Sequence, residues 1–352
     1  MGSDAILQNV PLAPLTTLGI GGLARRFARV ERVEDIAAAT LRNDGSPYVL
    51  GGGSNLVIAD EGIDNLVLQI AIQGISERAD GVDTIISAGA GTSWDSLVNF
   101  AVERNLAGFE CLSGIPGTVG GTPIQNVGAY GQEVSSVIEY VRAFDPFKGR
   151  MTSFTAAECG FSYRTSRFKK KGPLFIISEV AFRLRRDAPP TLTYRDVFEY
   201  FERRRVASPD LRAVREAILE IRRSKGMVID SADPDTRSVG SFFMNPVLDR
   251  AAFDRIAPAP HYLMDNDTVK IPAAWLIEQS GFRRGHVDGA VGLSSKHPLA
   301  IINRGGATAR DILRLAHRIK LAVRERFDIN LRPEPVFVGF SPDDDDVAFL
   351  TS

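Results

Sequence analysis

Hydrophobic and polar positions alternate in two different rhythms along the first hundred residues, and the switches between them mark the elements. RFARV (26–30) has the period of a strand. VEDIAAATLRN (33–43), with Ile36 and Ala39 on one face, has the period of a helix, and PYVL (47–50) returns to a strand that runs into glycines. This is a β-α-β opening. A second strand-then-helix unit is expected over TIISAGAG (84–91) and TSWDSLVNFAVERN (92–105), where Trp94, Leu97, Val98 and Ala101 form the apolar stripe and Thr92 or Ser93 supplies the cap.

Strands resume in VIEYVRAFD (137–145) and PLFIISEVAFRLRR (173–186), separated by a basic insertion, YRTSRFKKKG (163–172). Pro189 and Pro190 make APPTLTYRD (188–196) a loop, since proline fits neither a helix interior nor a central strand. A charged helix (211–225), a polar linker (230–238) and a mixed region from about 240 to 330 follow. Within that region the helix over 307–327 opens on a Thr308/Asp311 capping box and carries Ile312, Leu315, Ile319, Ala322 and Val323 as its core stripe. The four consecutive aspartates at 343–346 read as a solvated surface run. The class is α+β in several pieces.

Bulk composition narrows the partners. Of 352 residues, 42 are Lys or Arg and 43 are Asp or Glu, so no net charge points to nucleic acid or an anionic membrane surface. Only Cys111 and Cys159 are present, without CxxC spacing or paired histidines, which argues against zinc and a disulfide framework and for a reducing, cytoplasmic setting. No signal peptide, myristoylation pattern or membrane span is expected. His261, His286, His297 and His317 are expected to be surface or core residues.

Candidate chemistry concentrates in glycine-rich windows. Gly19, Gly21 and Ala24 match GxGxxA, but two prolines precede them and a strand pattern follows, where the dinucleotide fingerprint needs a strand before and a helix after. Residues 51–55 (GGGSN) and 113–121 (SGIPGTVGG) suit phosphate better, because glycines let several peptide N–H groups approach one anion. Six glycines lie between Ser113 and Gly131, and no Lys, Arg or His occurs between Asn105 and Val141, so backbone dipoles would have to carry the anion. Tight turns are the alternative for either window alone, and they lose ground because both windows occur in one half of the chain at the ends of predicted strands. Arg164, beside Tyr163, Arg167 and Lys169, fits a carboxylate or phosphate site or a solvated basic loop. Ser241 follows Gly240 and precedes two phenylalanines, and is either structural or a water-shielded hydroxyl; Glu334, between Pro333 and Pro335, is a presented carboxylate or an edge-strand residue.

Taken in order, LTTLGIGG, LGGGSNLV, AGFECLSGIPGTVGGTPIQNVGAYGQE, FSYRTSRFK, VGSFFMNP, AAWLIEQSGF and LRPEPVFVG resemble the UDP-N-acetylenolpyruvoylglucosamine reductase family from about Leu15 to Gly339. The resemblance implies a three-domain flavoenzyme with an FAD-binding region of the vanillyl-alcohol-oxidase (PCMH) type and a separate substrate-binding domain. The expected divisions are 1–75 with 333–352, 76–213 and 214–332. It implies noncovalent FAD, NADPH as hydride donor, and reduction of the enolpyruvyl group of UDP-N-acetylglucosamine enolpyruvate in peptidoglycan precursor synthesis, by a monomer with no nucleic-acid or membrane partner.

By the same resemblance the FAD pyrophosphate falls to Gly51, Gly52, Gly53, Ser54 and Asn55, and to Ser113, Gly114, Ile115, Pro116, Gly117, Gly120 and Gly121. Arg164 and Glu334 stabilise the enolate-like state, Glu334 as a neutral acid or through a shared proton, and Ser241 delivers the proton. Tyr130, Lys225, Asn245 and Gln279 line the substrate, and Tyr194 stands in the tyrosine loop of one subclass. Met244 departs from the lysine often found there, as Gly226 does from the pair that commonly follows Lys225. Two alternatives stand at this point: an FAD-dependent alcohol or lactone oxidase of the same architecture, and a noncatalytic nucleotide-sugar binder.

Overall fold

A computed structural model describes residues 6–41, 45–169, 175–264 and 267–352. The Lys170–Lys171–Gly172 end of the basic insertion, the start of the strand expected from Pro173 and the first five residues lie outside them. The chain forms two compact units, one of residues 1–10, 24–53 and 64–224, the other of residues 11–23, 54–63 and 225–352.

In the first unit, Leu23–Val30, helix α1 (Val33–Leu41) and Tyr48–Leu50 give the expected β-α-β opening, with Ile63–Ile70 lying between the two strands and pairing in parallel with Tyr48–Leu50. The second strand and helix also form, as Asp83–Gly89 and α2 (Trp94–Glu103), and Ser93 is the cap, accepting from the N–H of Ser96. The strand joins an antiparallel sheet, because the short turn after Ile75–Asp80 folds it back as a hairpin and Ile176–Arg186 covers its other edge. Ile138–Asp145, read as a strand from its pattern, and Arg150–Thr155, which was not, extend this sheet. Phe109 packs edge to face on Trp94 and on Phe182, and Trp94 and Phe182 lie tilted against each other, with centroids 5.2–5.7 Å apart in the core.

Two further helices complete this unit. The loop expected at 188–196 holds only to Tyr194, where α3 (Arg195–Arg203) begins, and α4 (Leu211–Ser224) follows. Val197 and Phe201 of α3 bury against Val214, Ala217 and Ile218 of α4, with Tyr130 and Tyr194 packed on the same cluster.

The second unit has its own core, built on α7 (Ala309–Phe327) with α5 (Arg250–Asp254), α6 (Ala273–Gln279) and two three-stranded antiparallel sheets. The capping box at Thr308 and Asp311 is present, and Asp60 adds a second pair of acceptors for the N–H groups of Ala309 and Arg310. Ile312, Leu315, Ile319 and Val323 are buried as the stripe predicts.

Two expectations fail in this unit, the second in part. The supposed linker at 230–238 is packed: Asp235 and Thr236 are buried, Asp235 accepts from Ser295 at 2.6 Å, and the backbone of Arg237 accepts from Asn303. The aspartate run is solvated only in part: Asp343 and Asp345 are exposed, and the other two are not free. Asp344 caps α8 (Asp345–Thr351) and pairs with Arg310 at 2.7 Å, Asp346 meets His317 Nδ1 at 2.7 Å, and the buried Lys320 donates to the carbonyls of Phe349, Leu350 and Ser352. Asp344 and Asp346 leave water here because α7 offers each a partner, Arg310 and His317. Among the described residues, no helix is long and apolar enough to cross a membrane.

Candidate active site

The first unit brings its two glycine windows together. A Cβ on Gly52 would lie 2.7 Å from Gly117 Cα, and one on Gly51 would lie 3.0 Å from Thr118 Oγ1. Only residues without side chains allow this approach, and Gly53, Gly114 and Gly117 also hold positive φ of 62°, 70° and 121°. The second window is anchored to α2: the peptide N–H of Trp94 donates to Gly117 O, its indole to Leu112 O, and Val119 N to Thr92 O. Gly120 packs against Ala90 so closely that a Cβ would meet the alanine methyl at 2.6 Å, whereas Gly121 faces open space.

The peptide N–H groups of Gly52, Gly53, Gly117 and Thr118 hydrogen-bond to no other described residue. A cradle of free N–H groups with no room for side chains fits a diphosphate such as that of FAD. Two members of the window look elsewhere. Ser113 is fully buried and its hydroxyl donates to Glu110 O, and Ile115 packs on the core. Pro116, which follows it, is half-buried.

GxGxxA at Gly19 to Ala24 is followed by the strand Leu23–Val30, so the helix needed for a dinucleotide fingerprint is not there. Instead Gly22 lets the chain run against Asp60, whose carbonyl a Cβ would meet at 2.2 Å.

Tyr130 and Arg164 occupy backbone positions that a sequence does not announce. Gly128–Ala129 pairs with Gln132–Glu133, leaving Tyr130 and Gly131 as a two-residue hairpin turn with φ of 49° and 84°. Arg164 has φ 54° in an equally tight turn closed by reciprocal hydrogen bonds between Ser162 and Thr165. Left-handed backbone on a bulky side chain is costly, and it gathers at functional sites. The half-buried guanidinium of Arg164 donates from Nη2 to Gly128 O at 2.9 Å, and Lys169 Nζ holds the Arg164 carbonyl, while Tyr163 and Arg167 are exposed as a solvated basic loop would have them. Tyr194 packs edge-on against Tyr130 at 5.4 Å, and Thr193 fills the space beside Gly131.

In the second unit, Ser241 and Glu334 fall on neighbouring antiparallel segments. Phe243 bridges Pro333, Glu334 N donates to Phe242 O at 2.8 Å, and Met244 N donates to Arg332 O. Phe242 and Phe243 are buried, as the wall expected beside Ser241 requires, and Gly240 turns the chain with φ 74°. Asn55 was expected at the cofactor, yet its side-chain amide donates to Glu334 O at 3.2 Å and its carbonyl accepts from Val336 N. Ser54 precedes it in the same unit.

The remaining candidates separate. Asn245 Oδ1 caps α6 through Ala273 N at 2.9 Å, while Gln279 sits exposed at the other end of that helix with its carbonyl bound by Arg326. Seven residues of helix keep these two positions about 10 Å apart. Lys225, half-buried, joins Arg284 in acting on His297, whose imidazole burial holds at a pKa of about 4. His297 Nδ1 accepts from Leu299 N, and Leu299 O accepts from Phe242 N, so this histidine braces the Ser241 segment. A KHP tripeptide offers no spacing that would have singled it out.

Comparison with known proteins agrees with this division. Residues 24–155 match a family described as FAD binding domain, and residues 233–338 match the C-terminal domain of UDP-N-acetylenolpyruvoylglucosamine reductase. A UDP-N-acetylenolpyruvoylglucosamine reductase of Thermobifida fusca is 44% identical over 96% of this chain and 99% of its own length, and one of Mycobacterium tuberculosis is 43% identical over 95% of each. The crystal structure of the enzyme from Thermus caldophilus covers 95% of this chain and 99% of its own at a TM-score of 0.66 and 28% identity. With matches of that extent at both ends, the chain belongs to the UDP-N-acetylenolpyruvoylglucosamine reductase family.

Proposed function

We propose that this chain reduces UDP-N-acetylglucosamine enolpyruvate to UDP-N-acetylmuramate with NADPH and FAD, and that Arg164, Ser241 and Glu334 carry the chemistry. The observation that carries the reading is the strap on which Glu334 is fixed by Phe242 O at its N–H and by Asn55 at its carbonyl, one residue from Ser241. Both peptide groups of Glu334 are thus claimed, on a segment paired with the one that carries Ser241.

Gly51, Gly52, Gly53, Gly117 and Gly121 with their neighbours in both windows would hold the FAD diphosphate on peptide N–H groups. When bound, FAD supplies a relay for one hydride, from NADPH to the methylene carbon of the enolpyruvyl double bond. Charge then builds on the adjacent carbon and the carboxylate. Arg164, preset by Gly128 O and Lys169, stabilises that charge, and Glu334 does so through a proton it holds or shares. Ser241 Oγ gives its proton to the adjacent carbon, completing addition of hydride and proton across the double bond. Tyr130 and Tyr194 contact the UDP-sugar, as do Lys225, Asn245 through its free amide end, and Gln279.

A three-part division (1–75 with 333–352, 76–213, 214–332) belongs to the same proposal, and the parallel pairing of Val336–Val338 with Leu56–Ile58 supports its first part. One chain carries every site residue named, so a monomer suffices. A cytoplasmic setting accords with two buried free thiols.

Ser241→Ala tests the assignment. The variant should be reduced by NADPH at the parent rate and should react about 10²–10⁴-fold more slowly with the enolpyruvyl sugar in stopped-flow absorbance. Equal losses in both half-reactions would make the serine structural.

A further inference from the structure

Helix α4, which the sequence presents only as charged, carries Arg215 and Arg222 two turns apart on one face. Arg215 is forked onto Asp95, with Nη1 to Oδ1 at 2.6 Å and Nη2 to Oδ2 at 2.8 Å, and its Nε reaches Asn99 at 3.1 Å. Both acceptors belong to α2. The same Asp95 Oδ1 accepts the peptide N–H of Gly114 at 2.6 Å, at the head of the second glycine window. Burial opposes the charge on Asp95, but hydrogen bonds from Arg215 and from the Gly114 peptide hold its carboxyl below the usual range. Seven residues along, the buried Arg222 hydrogen-bonds with Tyr130.

We propose that Asp95 and Arg215 are positioning residues for FAD: the fork fixes Gly114, and through it the path that brings Gly117 onto Gly52. The inference rests on the reading that these windows hold FAD. A charged fork suits this task because it fixes direction as well as distance, which a single neutral hydrogen bond to a glycine peptide does not. Neither residue is expected to touch the substrate, so the effect should fall on cofactor retention.

The test is the dissociation constant of FAD from the full chain, by quenching of flavin fluorescence, with the melting temperature of each apoprotein. Asp95→Asn and Arg215→Met should each weaken FAD about tenfold, and the double variant should be no weaker than the worse single one, because the two act as one unit. Arg215→Lys keeps the charge without the fork and should lose a few-fold with an apoprotein that melts as the parent does. Glu220→Gln breaks an exposed α4 contact with Tyr200 and Arg204 and should leave the FAD constant within twofold. Constants within twofold of the parent for Asp95→Asn and Arg215→Met would overturn the proposal. Failure of the parent itself to bind FAD would instead overturn the reading of the windows, and the inference with it.

Discussion

Glu334, proposed as a catalytic carboxylate, is placed by its peptide groups more than by its side chain. Its N–H and its carbonyl are each claimed by another segment, Phe242 and Asn55, while prolines on either side limit its own torsions. The prolines were legible; the strap was not, because it pairs segments some ninety and 280 positions away through backbone atoms that no side-chain pattern reports. Asn55 and Asn245 were legible as polar residues in motifs, but their use as brace and helix cap depends on which loop lies opposite. Tyr130 and Arg164 were singled out through their motifs, and the left-handed backbone that presents them was not legible, since nothing but glycine or asparagine advertises it.

His297 carries a prediction at this scale. Burial, with Lys225 and Arg284 nearby, holds its folded pKa at about 4 against 6.5 for an unperturbed imidazole. Between those values the unfolded chain binds a proton that the folded chain does not, so stability falls as pH drops from 6.5 to 4 and this group adds nothing above that window. His297→Asn keeps an acceptor for Leu299 N and cannot titrate. Its unfolding free energy relative to the parent should improve by about 2–3 kcal/mol between pH 7 and pH 4 in denaturant titrations, and parallel pH profiles would refute the burial argument.

Among elements, legibility follows locality. The helix over 307–327 announces its own start by a capping box and its buried face by spacing, and both hold. Strands of the large sheet were legible too, but their antiparallel pairing depends on a hairpin turn and a strand ninety residues later. α8 was hidden because four aspartates look like water-seeking charge until Arg310 and His317 of α7 are set against two of them and Lys320 against the carbonyls at the helix end. The glycine windows lie between these extremes: the composition of each is visible, their mutual approach is not. Gly52→Ala should therefore leave far-UV circular dichroism unchanged and weaken FAD at least about tenfold, since the added methyl needs space that Gly117 Cα occupies at 2.7 Å. An unchanged FAD constant would separate the windows from the cofactor.

Across the whole molecule, two cores share one chain that passes between them at residues 10–11, 23–24, 53–54, 63–64 and 224–225. Such repeated crossing leaves no composition shift at a boundary by which a limit could be read. Balanced charge at this scale also means that anionic ligands must be met locally, the task proposed for the glycine peptides and for Arg164. The central claim is the coupling of both half-reactions in one chain. Under anaerobic conditions the visible spectrum of the FAD-loaded protein should bleach on adding NADPH and recover on adding UDP-N-acetylglucosamine enolpyruvate. A bleached flavin that only oxygen restores, or a protein that cannot be loaded with FAD, would contradict it.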